Sequence, residues 1–467
     1  MLFRSIIPVD HAAREVEGLG PVSCAHAIFV ARLSPAHRTN AEVAAVGAKQ
    51  PWLVVHQGSD PAPAAVVAAL RARGDTALSV ELVPSSPAVP AAPGLWTPSS
   101  EDNGPQSGSL RVCDSQAGFA ALLSAYPQAS GILHMGSLGL GADPSDGTTT
   151  MAAAQRACGS LLHGLQAMLE APCRPPIWIV TRGAQAIDDE TPDLAGAMVL
   201  GMARAVAEEH PDLPLPRVDL DARAVDGSTD VRGLLAELNA EGPREAEVAL
   251  RSSKGCGRWI TRLQRPEAGF TGGMAEAAAP RRPLGLPPQQ TTLISGAFGG
   301  LGPSLAHWAV AHGARRLLLL GRRRPGDDIE EAAAALRAQG VHVDLAIVDV
   351  ADLVALRGVL ASQPPVGAVL HAVGTLDDGA LVRQNWERFA TVLEPKVRGA
   401  CNLEQATANH PVEQFILFSS ASALLGNAGQ ANHAAANAFL DALARHRRQR
   451  GLPAISVQWG RWGRIGA

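Results

Sequence analysis

The sequence predicts an α/β protein made of two doubly wound parallel sheets in tandem, and three observations carry that prediction. Short apolar runs bounded by turn residues alternate with Ala/Leu-rich stretches of helical spacing in both halves of the chain. A stretch at 267–290, rich in Gly and Pro and poor in aliphatic residues, divides those halves and predicts a linker between residues 1–266 and 291–467. The second half opens on a strand, a glycine-dense turn and a helix in immediate succession. At 467 residues, 46% hydrophobic and 18% charged, the chain is long enough for each half to bury its own core.

In the first half, Trp52-Leu53-Val54-Val55, Gly131-Ile132-Leu133-His134 and Ile177-Trp178-Ile179-Val180 are the candidate strands, with a helical pattern from Met151 to Leu169 between the last two. Strand, helix, strand at this spacing requires a parallel sheet covered on both faces. After the first of these strands, Gln57-Gly58-Ser59-Asp60 offers a single glycine. That is too few for a phosphate-cradling turn, so this half is assigned a structural role. The linker carries Pro280, Pro283, Pro287 and Pro288.

In the second half, six strands are predicted at Thr292–Ile294, Leu317–Leu320, Val343–Val348, Ala368–Leu370, Phe415–Phe418 and Ile455–Val457, each followed by a helical pattern up to the last. After the first comes Ser295-Gly296-Ala297-Phe298-Gly299-Gly300-Leu301-Gly302, then the helix-like Pro303-Ser304-Leu305-Ala306. Glycines 296, 300 and 302 let the backbone turn tightly and approach a pyrophosphate at the helix N-terminus, with Ser295, Phe298 and Leu301 framing the turn. Pro303 suits a first helical turn. The unit is thus of Rossmann type.

The next strand ends at Gly321-Arg322-Arg323-Arg324, where an acidic residue would select NAD. Arg322 and Arg323 instead favour a 2′-phosphate, so the cofactor predicted is NADPH. Asp349 and Val350 close the third strand where adenine would lie, and His371 and Ala372 follow the fourth, where they would line the cofactor cleft.

Composition narrows the function classes. A net charge of -4 gives no electrostatic reason for a nucleic acid or an anionic membrane as partner. No run reaches the roughly 18 apolar residues of a membrane span, and Met1 to Pro8 is too short for a signal peptide. The six cysteines, at positions 24, 113, 158, 173, 256 and 401, form no C-x-x-C pair and no zinc spacing, so no metal is predicted and a reducing cytoplasm fits best. Only three lysines occur, Lys49, Lys254 and Lys396, which singles out the last as the one cation of its type in the second half.

From the glycine turn onward the chain resembles the ketoreductase domains of modular type I polyketide synthases, a branch of the short-chain dehydrogenase/reductase family. The matching segments are Leu376-Asp377-Asp378, Pro395-Lys396-Val397-Arg398-Gly399, Phe418-Ser419-Ser420 and Gly429-Gln430-Ala431-Asn432-His433-Ala434-Ala435-Ala436-Asn437. The first half, through Ile179-Val180-Thr181-Arg182-Gly183 and Ala207-Glu208-Glu209-His210-Pro211, resembles the family's truncated structural subdomain. The resemblance implies NADPH-dependent reduction of a β-ketoacyl chain carried on the phosphopantetheine of an acyl carrier protein, in company with other synthase domains. Carried over by position, Ser420 would hydrogen-bond the ketone oxygen, Lys396 would act through the ribose and the catalytic acid, and Asn437 would hold the relay. Ser419 and Ser422 are read as strand-end hydroxyls capping their own backbone. Leu376, Asp377 and Asp378 mark B-type stereochemistry, and Leu425 stands where A-type relatives carry tryptophan.

Two departures follow from the same resemblance. Position 433, where the family has its catalytic tyrosine, is His433, and the chain's one tyrosine is Tyr126. A lysine ammonium stabilises phenolate and so lowers a phenol's pKa of about 10, but it disfavours imidazolium and pushes a histidine below its usual value of about 6.5. The expectation is a neutral ring, a poor acid, and impaired reduction. The family also continues through a lid helix and a last strand beyond the final residues seen here, which predicts either a fragment or a cleft with an uncovered edge. Two alternatives stay open: a reductase-inactive homologue acting as scaffold or epimerase, and a nucleotide-binding interaction module.

Overall fold

In the computed structural model, residues 30–35, 50–84, 109–223, 228–240, 244–251, 257–264 and 285–462 are described. Most of the predicted linker, with Pro280 and Pro283, lies outside them, as do the chain's first eight residues, Cys24, Cys256, Lys49 and Lys254. Among the described residues fifteen strands fall into two sheets.

The first sheet has nine strands: β1 (Val30–Pro35), β2 (Trp52–His56), β3 (Ala77–Val83), β4 (Ser109–Cys113), β5 (Gly131–His134), β6 (Ile177–Arg182), β7 (Arg217–Leu220), β8 (Glu247–Arg251) and β9 (Gly257–Gln264). Their order is β1-β9-β8-β7-β6-β5-β2-β3-β4. The parallel prediction holds from β4 to β8. It fails beyond, because β8–β9 and β9–β1 pair antiparallel.

The second sheet is parallel throughout: β10 (Thr291–Ser295), β11 (Arg316–Gly321), β12 (His342–Ile347), β13 (Val366–His371), β14 (Gln414–Ser420) and β15 (Ile455–Trp459), in the order β12-β11-β10-β13-β14-β15. Strands such as β10 and β13 are buried at every position because helices cover both faces of the sheet. The order reverses between β10 and β13, and in open α/β sheets that is where the carboxyl ends of the strands leave a crevice.

The first sheet has its own reversal between β2 and β5, and there the crevice is filled by the protein itself. Gln57 Nε2 donates to the carbonyls of Gly136 (2.7 Å) and Arg156 (2.6 Å). A Cβ at position 58 would lie 2.0 Å from the Leu138 carbonyl oxygen. Among the described residues, the position a phosphate-binding turn would occupy in this half is thus filled by the chain itself.

One apolar core joins the halves, running from Leu53 and Ile132 through Leu161 and Met198 to Phe389 and Phe439. Its centre is the crossing of the helices Leu194–Glu209 and Ala431–Gln449. Gly201 makes this approach possible, since a Cβ there would sit 2.5 Å from the Ala434 carbonyl oxygen and 2.6 Å from the Ala438 Cβ. Beside the crossing, half-buried Arg204 pairs with Glu247 (2.9 Å) and reaches the Ala423 carbonyl (2.8 Å) in the other half. The helix that bears His433 is thus seated on the first half.

Candidate active site

The glycine turn is built as a hairpin of backbone between β10 and the helix Gly302–Ala311. Gly296 has φ +79°, a left-handed conformation in which a Cβ would meet the backbone of Ala372 and Val373 at 2.8–2.9 Å. At Gly302 a Cβ would lie 1.6 Å from the Ala297 carbonyl oxygen, so no other residue fits the turn. Phe298 lies against Gly321, while Gly299 and Gly374 face open space apart from one contact of 3.3 Å to the Gly296 oxygen. A nucleotide pyrophosphate fits this turn: glycine backbone, an open side, and a helix N-terminus begun by Gly302 and Pro303.

Around it, Arg322 donates to Thr375 Oγ1 (3.2 Å) across the cleft, and Arg322 and Arg323 stand at the end of β11 with their side chains toward solvent. Asp349 lies two residues past β12, and its carboxylate receives the Ala351 N–H (2.9 Å). Val350 is buried, its carbonyl held by Asn402 Nδ2 (2.9 Å). The structure corrects the placement of His371. This residue is the last of β13, fully buried, with Nδ1 against Ser295 Oγ (2.7 Å) and Nε2 against the Lys396 carbonyl (3.2 Å). Both ring nitrogens are used inside the protein, so His371 and Ser295 brace the cleft from behind instead of lining it. Burial, then the Lys396 charge, lowers His371 to about 3.

Lys396 sits in a π-helical turn, Glu394–Arg398, between the helices Trp386–Leu393 and Gly399–Ala406. The widened turn is a common device for re-aiming a functional side chain. Buried Lys396 Nζ donates to the Phe418 carbonyl (2.9 Å) and to Asn437 Oδ1 (3.0 Å), two of its three hydrogens. Burial lowers its pKa to about 8, against the opposing pull of Asp441, so it remains mostly cationic at neutral pH. Asn437 Nδ2 in turn donates to the His433 carbonyl (2.8 Å). The relay from lysine through asparagine therefore reaches the backbone of residue 433, one helical turn away, and not its ring.

Residue 433 lies in the first turn of the helix Ala431–Gln449. Its N–H donates to Asn432 Oδ1 (2.7 Å), and its Nδ1 is buried with no hydrogen-bond partner. Its pKa is lowered to about 3, the direction expected, but the larger cause is burial of the ring and the smaller is the Lys396 charge. At neutral pH the ring is therefore the neutral imidazole, whose one remaining N–H is a very weak acid.

Ser420 ends β14 and accepts hydrogen bonds from Ser422 N (3.2 Å) and Ser422 Oγ (3.0 Å), which leaves its own O–H free to donate outward. The reading of the neighbouring serines changes accordingly. Ser419 does not cap its own backbone but donates across to the Asn437 carbonyl (3.1 Å), and Ser422 is a support for Ser420.

Leu376, Asp377 and Asp378 lie on the loop facing this group. Asp377 pairs with Arg388 Nε (2.7 Å), its carbonyl receives Asn432 Nδ2 (2.8 Å), and Asp378 receives Gln430 Nε2 (2.8 Å). Arg388, Gln430 and Asn432 were missed in the sequence because their roles exist only once the loop is folded against the helix. Leu376 and Leu425 are both exposed at the mouth. Tyr126 ends the helix Gln116–Ala125 in the first half. Among the described residues no cluster of His, Cys, Asp and Glu is arranged for a metal, and no helix is long and apolar enough to cross a membrane.

The chain is similar to known proteins over nearly its whole length. Residues 290–464 match the family described as KR domain, and residues 14–256 match that described as polyketide synthase extender module SpnB, Rossmann fold domain. Polyketide synthase GfsB of Streptomyces halstedii is 40% identical over 314 residues, which is 65% of this chain but only 5% of that protein. The chain therefore spans a small part of the curated relatives it matches. Among solved structures, one titled as A-type ketoreductases from a modular polyketide synthase superposes with a TM-score of 0.70 at 28% identity, covering 94% of this chain and 84% of that one. The first ketoreductase of the tylosin synthase gives a TM-score of 0.69 at 30% identity, with coverage of 93% and 82%.

Proposed function

Because this chain belongs to the ketoreductase domains of modular polyketide synthases, in the short-chain dehydrogenase/reductase superfamily, we propose that it binds NADPH and addresses a β-ketoacyl chain on an acyl carrier protein, with reduction impaired by His433. The buried relay of Lys396, Asn437 and residue 433 beside the glycine turn is the observation that carries this reading.

When bound, the nicotinamide supplies hydride to the ketone carbon. The chain's residues do the rest. Gly296, Gly300 and Gly302 hold the pyrophosphate by backbone, and Arg322 and Arg323 select the 2′-phosphate. Ser420 donates its free O–H to the ketone oxygen, and Lys396 holds positive charge near the alkoxide that forms. What is missing is an acid strong enough to give up its proton. A general acid at this position contributes about 10² to 10⁴ in rate, and a ring with its pKa near 3 provides little of it.

Product configuration is assigned to the B-type on Leu376, Asp377 and Asp378, with Leu425 leaving the opposite wall of the mouth short. Cytoplasmic location and partnership with carrier and other synthase domains belong to the same proposal. His433 itself favours a second reading, a reductase-inactive homologue that holds cofactor and substrate without reducing. NADPH titration by fluorescence, followed by turnover of a β-ketoacyl thioester with chiral analysis of the product, tests both. Binding with slow formation of a single B-type alcohol supports the first reading, binding with none the second, and absence of NADPH binding removes both.

A further inference from the structure

We infer that Glu209, a residue of the first half, is a positioning residue for the substrate mouth of the second. Glu209 is the last residue of the helix Leu194–Glu209. An acidic side chain at a helix C-terminus opposes the helix dipole, so the helix gains nothing from it. Its partners explain its presence. Oε1 accepts the Leu381 N–H at 2.7 Å and Oε2 accepts the Gly429 N–H at 3.0 Å.

Those two peptides lie on the two walls of the mouth. Leu381 follows the loop that carries Asp377 and Asp378, and Gly429 opens the segment that leads to His433. The walls also touch directly, through the Gly379 N–H and the Gly429 carbonyl at 2.8 Å. The carboxylate therefore closes a ring of hydrogen bonds that fixes the loop relative to the catalytic helix. Gly429 has φ +77°, a conformation open to glycine without strain. Buried Gln166, from the helix Gly147–Glu170 of the same first half, completes the grip: its Nε2 donates to the carbonyls of Leu381 (2.9 Å) and Gln384 (2.7 Å). The backbone N–H and C=O of Leu381 are thus both held by the first half, and its side chain is fully buried. The Glu209 side chain is 13% exposed, so its charged hydrogen bonds are shielded from water.

The first half is accordingly more than a base for the core. It sets the gap through which an acyl chain must pass between Asp378 and residue 433, and this use of the gap rests on the ketoreductase reading above.

The test uses the full chain with Glu209→Gln, Glu209→Ala and Gln166→Ala, each also in a His433→Tyr background. Amide hydrogen exchange reads the grip without any need for turnover. Both Glu209 variants should raise exchange at Leu381 and Gly429 by about tenfold or more, while Gln166→Ala loosens the Leu381 side alone. NADPH affinity should stay within about twofold, because the glycine turn is not held by Glu209. In the His433→Tyr background, KM for a β-ketoacyl thioester should rise with kcat changed less, and a second product configuration should appear. Unchanged exchange at both amides would overturn the inference, and so would a joint loss of NADPH binding and thermal stability. A His433→Tyr chain that reduces nothing would count against the ketoreductase reading, while the exchange result still decides the role of Glu209.

Discussion

Replacing His433 by tyrosine should make the protein less sensitive to acid, and the size of the effect follows from the ring's surroundings. In the unfolded chain a histidine titrates near 6.5, whereas in the fold burial and then Lys396 hold His433 at about 3. A folded pKa below the unfolded one means stability that is complete above about pH 6.5 and is lost as pH falls toward 3. At pH 5 the unfolded chain has gained about 1.5 pKa units of protonation that the fold refuses, about 2 kcal/mol for a fully shielded ring. The ring is partly exposed at its rim, and screening there brings the figure to about 1–2 kcal/mol. Tyrosine has no charge change between pH 5 and 7, and Lys396, at about 8, stays cationic throughout. His134 and His371, lowered to about 4 and about 3 by burial, destabilise both proteins equally, and Asp193 and Asp441, raised to about 6, offset them equally. Their contributions cancel in the difference. Urea unfolding at pH 7, 6 and 5 measures it: the native chain should lose about 1–2 kcal/mol more than His433→Tyr. Parallel losses would refute the reasoning, because they require a ring that accepts its proton inside the fold.

Three further outcomes follow from the geometry. Gly201→Val drives a side chain into the Ala434 carbonyl at the helix crossing, so the urea midpoint should fall by an amount equal to about 1–3 kcal/mol, and an unchanged midpoint would contradict the close approach. Gly302→Ala has no room beside Ala297 and should weaken NADPH binding by about 10² or more in a fluorescence titration. Arg322→Ala with Arg323→Ala should weaken NADPH by about ten- to a hundredfold, the worth of charged hydrogen bonds, while NADH binding changes little; equal losses for both would deny the 2′-phosphate role.

The second sheet was legible in the sequence largely because its inner strands are buried on both faces, and two of them read as unbroken apolar runs, Leu317–Leu320 and Phe415–Phe418. The first sheet was half hidden. β7 and β8 contain Arg217, Asp219, Glu247 and Arg251, residues that look like solvent-exposed loop and are in fact buried in ion pairs, Arg251 with Asp219 at 2.6 Å and Arg217 with Glu247 at 2.9 Å. β4 alternates exposed and buried residues over only five positions. Gly302 could be found by the spacing of its glycine turn, and Lys396 and Asn437 through the resemblance of their segments to the family. Ser422, Arg388, Asn432 and Glu209 could not, since each acts through a partner distant in sequence or through a turn whose geometry the local pattern does not encode. The dominance of burial over charge in lowering His433 was equally invisible before the helix was packed.

In the proposed function Lys396, Asn437 and Ser420 hold charge and orient a ketone, and residue 433 sets how readily a proton follows. The most direct measurement is kcat/KM for NADPH oxidation with one β-ketoacyl thioester at pH 7, on the native chain and on His433→Tyr. Both proteins should bind NADPH alike, and tyrosine should raise kcat/KM by about 10² or more. Equal rates in the two proteins would contradict the account, because the proton would then come from elsewhere.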